Sequence, residues 1–220
     1  MYSKLSFMVR YQDREIIYRI IPPIFKKNYP RLTSIVDCFE IFMESPRDLH
    51  ARARTYSQYK SHCTVKVFIS CGPLGHINYV SKAWGGRVSD LQIVRDSSYI
   101  SYNFHMPGDQ ILADRGFRLK EDFATMCSAE LIIPAFTRGQ DQMPANDVEN
   151  SRTLSSIQIH IERVIGLLRN RYTILKGTLP LRTVKRLKDE SRNENVASID
   201  KIVKVCAALV NLGEGIVFNE

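Results

Sequence analysis

Residues 34–43 read SIVDCFEIFM, and this stretch decides the fold. Its β-branched and aromatic content predicts a central β-strand. Asp37 breaks the pattern. Desolvating a lone carboxylate inside an apolar strand is strongly unfavourable, so such an acid must be paired, protonated or bound to a cation.

Working outward, residues 13–20 predict a short helix stopped by Pro22 and Pro23, and a polar connector to Pro30. After a basic loop at 47–61 (RDLHARARTYSQYKS), CTVKVFISC and HINYVSKAW are two apolar strands joined by GPLG, a hairpin with a loop of about four residues. With the first strand they form an antiparallel meander. Residues 90–100 (DLQIVRDSSYI) predict a helix with Ser89 as N-cap. MPGD is a turn, and QILADRGF is a short buried strand ending at Asp114, with Gly116 allowing a tight exit into the helix RLKEDFATMC. AELIIPAF is a further strand stopped by Pro134, and 137–150 form a polar loop. From 151 to about 171, Leu154, Ile157, Ile161, Val164, Ile165 and Leu168 recur at helical period, with Glu162 beside their stripe. More helix is expected at 182–189 and 196–212. This order predicts an α/β fold: a ribonuclease-H-like mixed sheet of five strands flanked by helices. Residues 1–30 would be a connector, 31–180 the catalytic domain, and 181–220 a helical extension packed on it.

The chain has 220 residues, 44% of them hydrophobic and 25% charged, a composition suited to a folded core rather than disorder. No apolar run is long enough to span a membrane; residues 202–210 are short and contain Lys204. The opening MYSKLSFMVRYQDRE acquires charge too early for a secretory signal, which predicts an intracellular location. Five scattered cysteines without a C-x-x-C pair argue against a disulfide framework and a zinc site. The net charge of +8 concentrates at 163–192, where Arg163, Arg169, Arg171, Lys176, Arg182, Lys185, Arg186, Lys188 and Arg192 stand against Asp189 and Glu190. Such a patch attracts phosphate backbones, although a solvated helix face accounts for it equally well.

In the expected fold Asp37, Asp114 and Glu162 come from three separate elements and converge. Two hard divalent cations need such oxygen ligands when one activates an attacking water or hydroxyl and the other stabilises the leaving oxygen. The runs IVDCFEIFMESP, TYSQYKSHCTVK, GPLGHINYVSKAWGGRVSD, ILADRGF and IQIHIERVIGLLRNRY resemble, in this order, the catalytic domain of the DDE superfamily endonucleases, the Harbinger-type and related transposases of eukaryotes. The similarity runs from about Leu5 to Asn211. It implies a metal-dependent nuclease of nuclear DNA, cleaving and joining phosphodiesters, with Asp37, Asp114 and Glu162 as catalytic and metal-binding residues and two Mg²⁺ or Mn²⁺ per site. Its partners would be element ends and target duplex. Two positions depart from the family: Tyr11 stands where members carry tryptophan, and Gln158 where they carry a basic residue. No zinc-finger spacing is present, which leaves DNA reading to an upstream domain or a separate DNA-binding protein, and leaves a homo-oligomer open.

Other residues carry blander readings. Asp90 is expected to be a helix-start residue rather than a fourth ligand, Asp109 is a weaker candidate, and Glu40 should face away from Asp37 toward a basic neighbour. His62 and Lys66 share a strand face and should pair with carboxylates. His160 and Arg163 fit a scissile-DNA contact and a solvated helix edge equally, and Trp84 fits core packing better than base stacking. The rival functions are a domesticated, non-cutting DNA-associated protein and a generic basic binding domain.

Overall fold

The structure, a computed structural model, describes residues 2–134, 159–189 and 194–213. The chain opens with α1 (Tyr2–Leu5), α2 (Arg14–Ile20) and α3 (Pro23–Asn28), then enters β1 (Leu32–Phe42). Next come α4 (Leu49–Thr55), β2 (Tyr56–Ser57), β3 (His62–Cys71), β4 (Ile77–Val80), β5 (Trp84–Gly85) and α5 (Asp90–Asp96). They are followed by β6 (Gln110–Ala113), α6 (Lys120–Cys127), β7 (Glu130–Ile132) and a helix, α7, over residues 159–171. The described chain ends with α8 (Leu181–Val184), β8 (Arg186–Asp189), β9 (Glu194–Ala197) and α9 (Ser198–Asn211).

β1 is the centre of a mixed sheet. It pairs antiparallel with β3 and parallel with β6, and β6 pairs parallel with β7. The short strands β2, β5 and β4 pair with successive parts of β3. The result is an α/β architecture consistent with the ribonuclease-H-like order, with the expected meander and the hairpin through residues 72–75 in place.

Alternation along β1 sorts its side chains between two cores. Ile35, Phe39 and Ile41 meet Val67 and Ile69 of β3, Leu112 of β6, Ile161, Val164 and Leu168 of α7, and Val203 and Ala207 of α9. Val36 points the other way, toward Phe68, Ile111, Ile93, Tyr99 and Phe123. Each such fully buried side chain contributes about 1.5–3 kcal/mol through apolar area removed from water. Asp37 shares its parity with Ile35 and Phe39, so the strand delivers it to the α7 side.

Several local expectations are corrected. Pro23 begins α3 instead of only ending α2, because a proline at the first helical position gives up an N–H that would be unbonded anyway. Phe25 of that helix is wholly buried, so the connector is part of the core. The basic loop contains α4, capped by the Asp48 carboxylate accepting from Ala51 N at 2.7 Å. The helix expected over 182–189 stops at Val184. From there Arg186–Asp189 pairs antiparallel with Glu194–Ala197, so backbone pairing replaces helical bonding in a segment without an apolar helical stripe. Gly116 needs no left-handed backbone; the exit from β6 is a turn in which Phe117 N donates to Asp114 O at 3.0 Å. The polar loop 137–150 and the first part of the long helix, with Leu154, Ile157 and Gln158, lie outside the described residues, as does Arg192.

Candidate active site

β6 ends early. Its last residue, Ala113, pairs with Val36, whereas β1 continues to Phe42. Beyond that pair β6 leaves the edge of β1 open until Leu179 bridges to Met43, and a cleft of about 640 Å³ opens in the gap. Asp37 and Asp114 are each the next residue after Val36 and Ala113, so two parallel strands present carboxylates side by side at the same level. Glu162 reaches the same cleft from α7, one position round from the buried Ile161. Ile165 and Gly166, one turn further along α7, and Arg169 after another turn line the cleft below it. The cleft therefore brings Asp37, Asp114 and Glu162 together, each from a different element.

Burial, and after it the nearby Asp90, Asp114 and Glu162, push the Asp37 carboxyl up to about 7; the Cys38 N–H, which donates to its Oδ1 at 2.7 Å, acts in the opposite sense. Asp90 has the expected helix-start position. It is the first residue of α5, behind Ser89, whose side chain accepts from Gln92 N, and it also lines the cleft. Lys66 lies 3.0 Å from Asp90 Oδ1 and 3.7 Å from Glu40 Oε1. Glu40 further accepts from Thr64 Oγ1 at 2.6 Å, and it has the expected basic neighbour, but it lines the same cleft as Asp37 instead of facing away from it. Burial works to lower the Lys66 pKa, but Asp90 and Glu40 outweigh it and hold the ammonium above its ordinary value.

Arg169 has a structural task here. Its guanidinium donates to the Glu40 carbonyl, an acceptor on the β1 edge that β6 leaves open, and it lies 5.7 Å from the Phe39 ring centre. The basic patch is accordingly divided, because Arg186 is also engaged within the fold, donating to Ala83 O at 2.8 Å.

The family model for DDE superfamily endonucleases matches residues 36–211. The chain belongs to that family. No curated protein and no solved structure matches it. The matched span of this DDE superfamily endonuclease includes all the carboxylates of the cleft.

The donor set suits hard cations, since Asp37, Asp114, Glu162 and Asp90 supply oxygen only. Burial first, then Asp90 and Asp37, hold the Cys38 thiol protonated, which makes it a poor metal ligand. As the side chains lie, no group of three or more His, Cys, Asp or Glu among the described residues is close enough to hold a metal ion. The carboxylates face a shared opening without forming a closed shell.

Other sequence candidates fall elsewhere. His160 packs on Phe25, with ring centres 4.9 Å apart, and burial followed by Arg163 lowers its pKa to about 4. His62 meets the Phe42 ring edge-on. Asp109 is fully buried away from the cleft and binds Arg14 at 2.6 Å. Trp84 is half-buried against the core on the α5 side. Tyr11 keeps the connector packed despite departing from the family pattern, donating to Tyr99 at 2.7 Å and sharing a hydrogen bond with Ser34 at 2.8 Å. Sequence reading missed Cys38, Tyr59, Lys60, Gly166 and Arg169 as cleft residues. The spacing of Gly166 and Arg169 from Glu162, four and seven residues on, was the available signal for two of them.

Proposed function

We propose that the chain is a metal-dependent DNA endonuclease of the Harbinger transposase type, in which Asp37, Asp114 and Glu162 bind the catalytic cations. The observation that carries this reading is the meeting of these carboxylates in one cleft of a DDE superfamily endonuclease. Divalent cations bound there would polarise the attacking water or 3′-hydroxyl and neutralise charge on the leaving oxygen. Asp37, set deepest, would ligate most centrally, with Asp114 and Glu162 on either side. Lys66 offsets part of the negative charge that Asp90 and Glu40 add next to the substrate phosphate. Arg169 seals the open edge of β1, so that the strand carrying Asp37 holds its position. The DNA would be nuclear, comprising element ends and target duplex, with sequence reading supplied by another domain or protein.

The test combines two measurements. Millimolar Mn²⁺ should raise the melting temperature of the wild type, as ligand linkage requires, and should support nicking of supercoiled plasmid. Asp37→Asn should lose the nicking and most of the thermal shift. Equal shifts in both proteins would remove the metal assignment. DNA binding without nicking by an Mn²⁺-stabilised wild type would favour the non-cutting, domesticated reading.

A further inference from the structure

The active-site cleft does not end at the carboxylates. Its wall at Glu40, Tyr59 and Lys66 is shared with a second depression of about 310 Å³, which also takes in Tyr56, Gln58 and Arg87. Those last three residues belong in turn to a third depression of about 310 Å³, closed by Leu49, Arg52 and Ala53 of α4. Together they make one continuous groove from Asp37, past the β2–β3 turn, to α4.

The groove wall is firmly built. The turn at 58–61 closes with Ser61 in the left-handed region (φ 53°), and Lys60 N donates to Ser57 Oγ at 3.3 Å. At its tip Tyr59 is 84% exposed, with the Lys60 ammonium 4.4 Å from its ring centre. Gly85 and Gly86 lie directly on the end of α4; a Cβ would come within 2.4 Å of Arg54 O at the first and 2.0 Å of Thr64 Oγ1 at the second. α4 is thereby locked to β3, the strand that carries Lys66.

Composition points to one occupant. Exposed tyrosine rings, Tyr59 and the 43%-exposed Tyr56, are interleaved with Lys60, Arg87 and Arg52, while Glu40 is neutralised by Lys66. Cations along a groove track a phosphate backbone, and exposed rings between them offer stacking faces to bases. A duplex keeps its base faces stacked inside, so such rings suit a strand whose bases are unpaired. We infer that this groove receives an unpaired DNA strand leading away from the cleft, with Tyr59 and Tyr56 stacking its bases and Arg52 and Arg87 contacting its phosphates. The inference rests on the nuclease reading only in taking DNA as the cleft's ligand.

The test is fluorescence anisotropy with the full chain in metal-free buffer, comparing a blunt duplex with the same duplex carrying a single-stranded extension. The tailed duplex should bind about tenfold more tightly, the scale of base stacking on an aromatic ring. Tyr56→Ala with Tyr59→Ala should abolish that preference with the melting temperature unchanged, and Tyr59→Phe should retain it. Arg87→Gln should flatten the salt dependence of tail binding. Equal binding of blunt and tailed duplexes, a preference that survives the double alanine variant, or a stronger preference for an RNA tail would overturn the proposal. Cutting is not needed for the readout. If the preference persists in Asp37→Asn and Mn²⁺ supports no nicking by the wild type, the nuclease reading fails and the groove assignment stands.

Discussion

Lys66 on β3 and Asp90 at the start of α5 meet at 3.0 Å on the rim of the cleft. The same ammonium faces Glu40 at 3.7 Å, so one cation is shared by two acids on the wall of the cleft that holds Asp37. Lys66→Met should leave both acids uncompensated beside Asp37 and destabilise the metal-free protein by roughly 2–3 kcal/mol, less than a fully buried pair would lose because Asp90 is partly exposed. Mn²⁺ should restore part of that loss, giving a larger thermal shift in the variant than in the wild type. Paired melting curves with and without Mn²⁺ test this; a smaller shift in the variant would mean that Lys66 supports cation binding instead of competing with it.

Asp109 has no exposed side-chain surface. It accepts from Arg14 at 2.6 Å and from Met106 N at 2.9 Å. Removing the cation alone strands a buried charge, so Arg14→Met should cost about 3–5 kcal/mol. Adding Asp109→Asn should recover part of it. The Mn²⁺ shift should be the same in every one of these variants, because the pair lies outside the cleft, and denaturant titrations measure the rest.

Burial lowers the His105 pKa to about 4 in the folded protein, with Asp109 and Arg14 acting in opposite senses on it. The unfolded chain, with an ordinary imidazole near 6.5, therefore binds the extra proton first as the medium acidifies. Stability is fully present above about pH 6.5 and falls as pH drops toward 4. His160 acts in the same direction. His105→Phe, which keeps an aromatic ring among Tyr11, Tyr99 and Phe123, should lose less stability than the wild type between pH 7 and 4.5, the difference being on the order of 2 kcal/mol. Equal losses would place the acid sensitivity elsewhere.

Two glycines should respond oppositely to alanine. At Gly86 the new methyl would collide with Thr64 Oγ1, which already donates to Glu40, and should destabilise by roughly 1–3 kcal/mol. At Gly166 a Cβ meets nothing within 4 Å, so Gly166→Ala should stabilise α7 by up to about 1 kcal/mol. Thermal melts distinguish the signs directly.

What could be read in advance follows from where local chemistry and tertiary structure agree. Asp37 was conspicuous because a charge in a strand of Ile, Val and Phe has no local reason to be there, and Ser89 because its capping role is settled within four residues. α4 was hidden since it buries none of its residues and so shows no apolar stripe; Asp48 at its start was the usable sign. β8 and β9 depend on each other, and nothing local in residues 186–189 announces a partner eight residues on. The same holds for the cleft. Asp37 and Asp114 were separately legible, but the open edge that Arg169 seals exists only because β6 is shorter than β1.

Asn211 closes the molecule at the opposite edge. Its side-chain carbonyl accepts from Ile77 N at 2.8 Å, while its amide donates to Ile77 O at 2.8 Å and Met8 O at 3.0 Å. A single carboxamide thus imitates one rung of a neighbouring strand at the start of β4 and occupies the groups by which that edge would recruit another chain. Loss of α9, or Asn211→Leu alone, would uncover a docking point for intermolecular sheet growth, so the last turn of this helix guards solubility as well as stability.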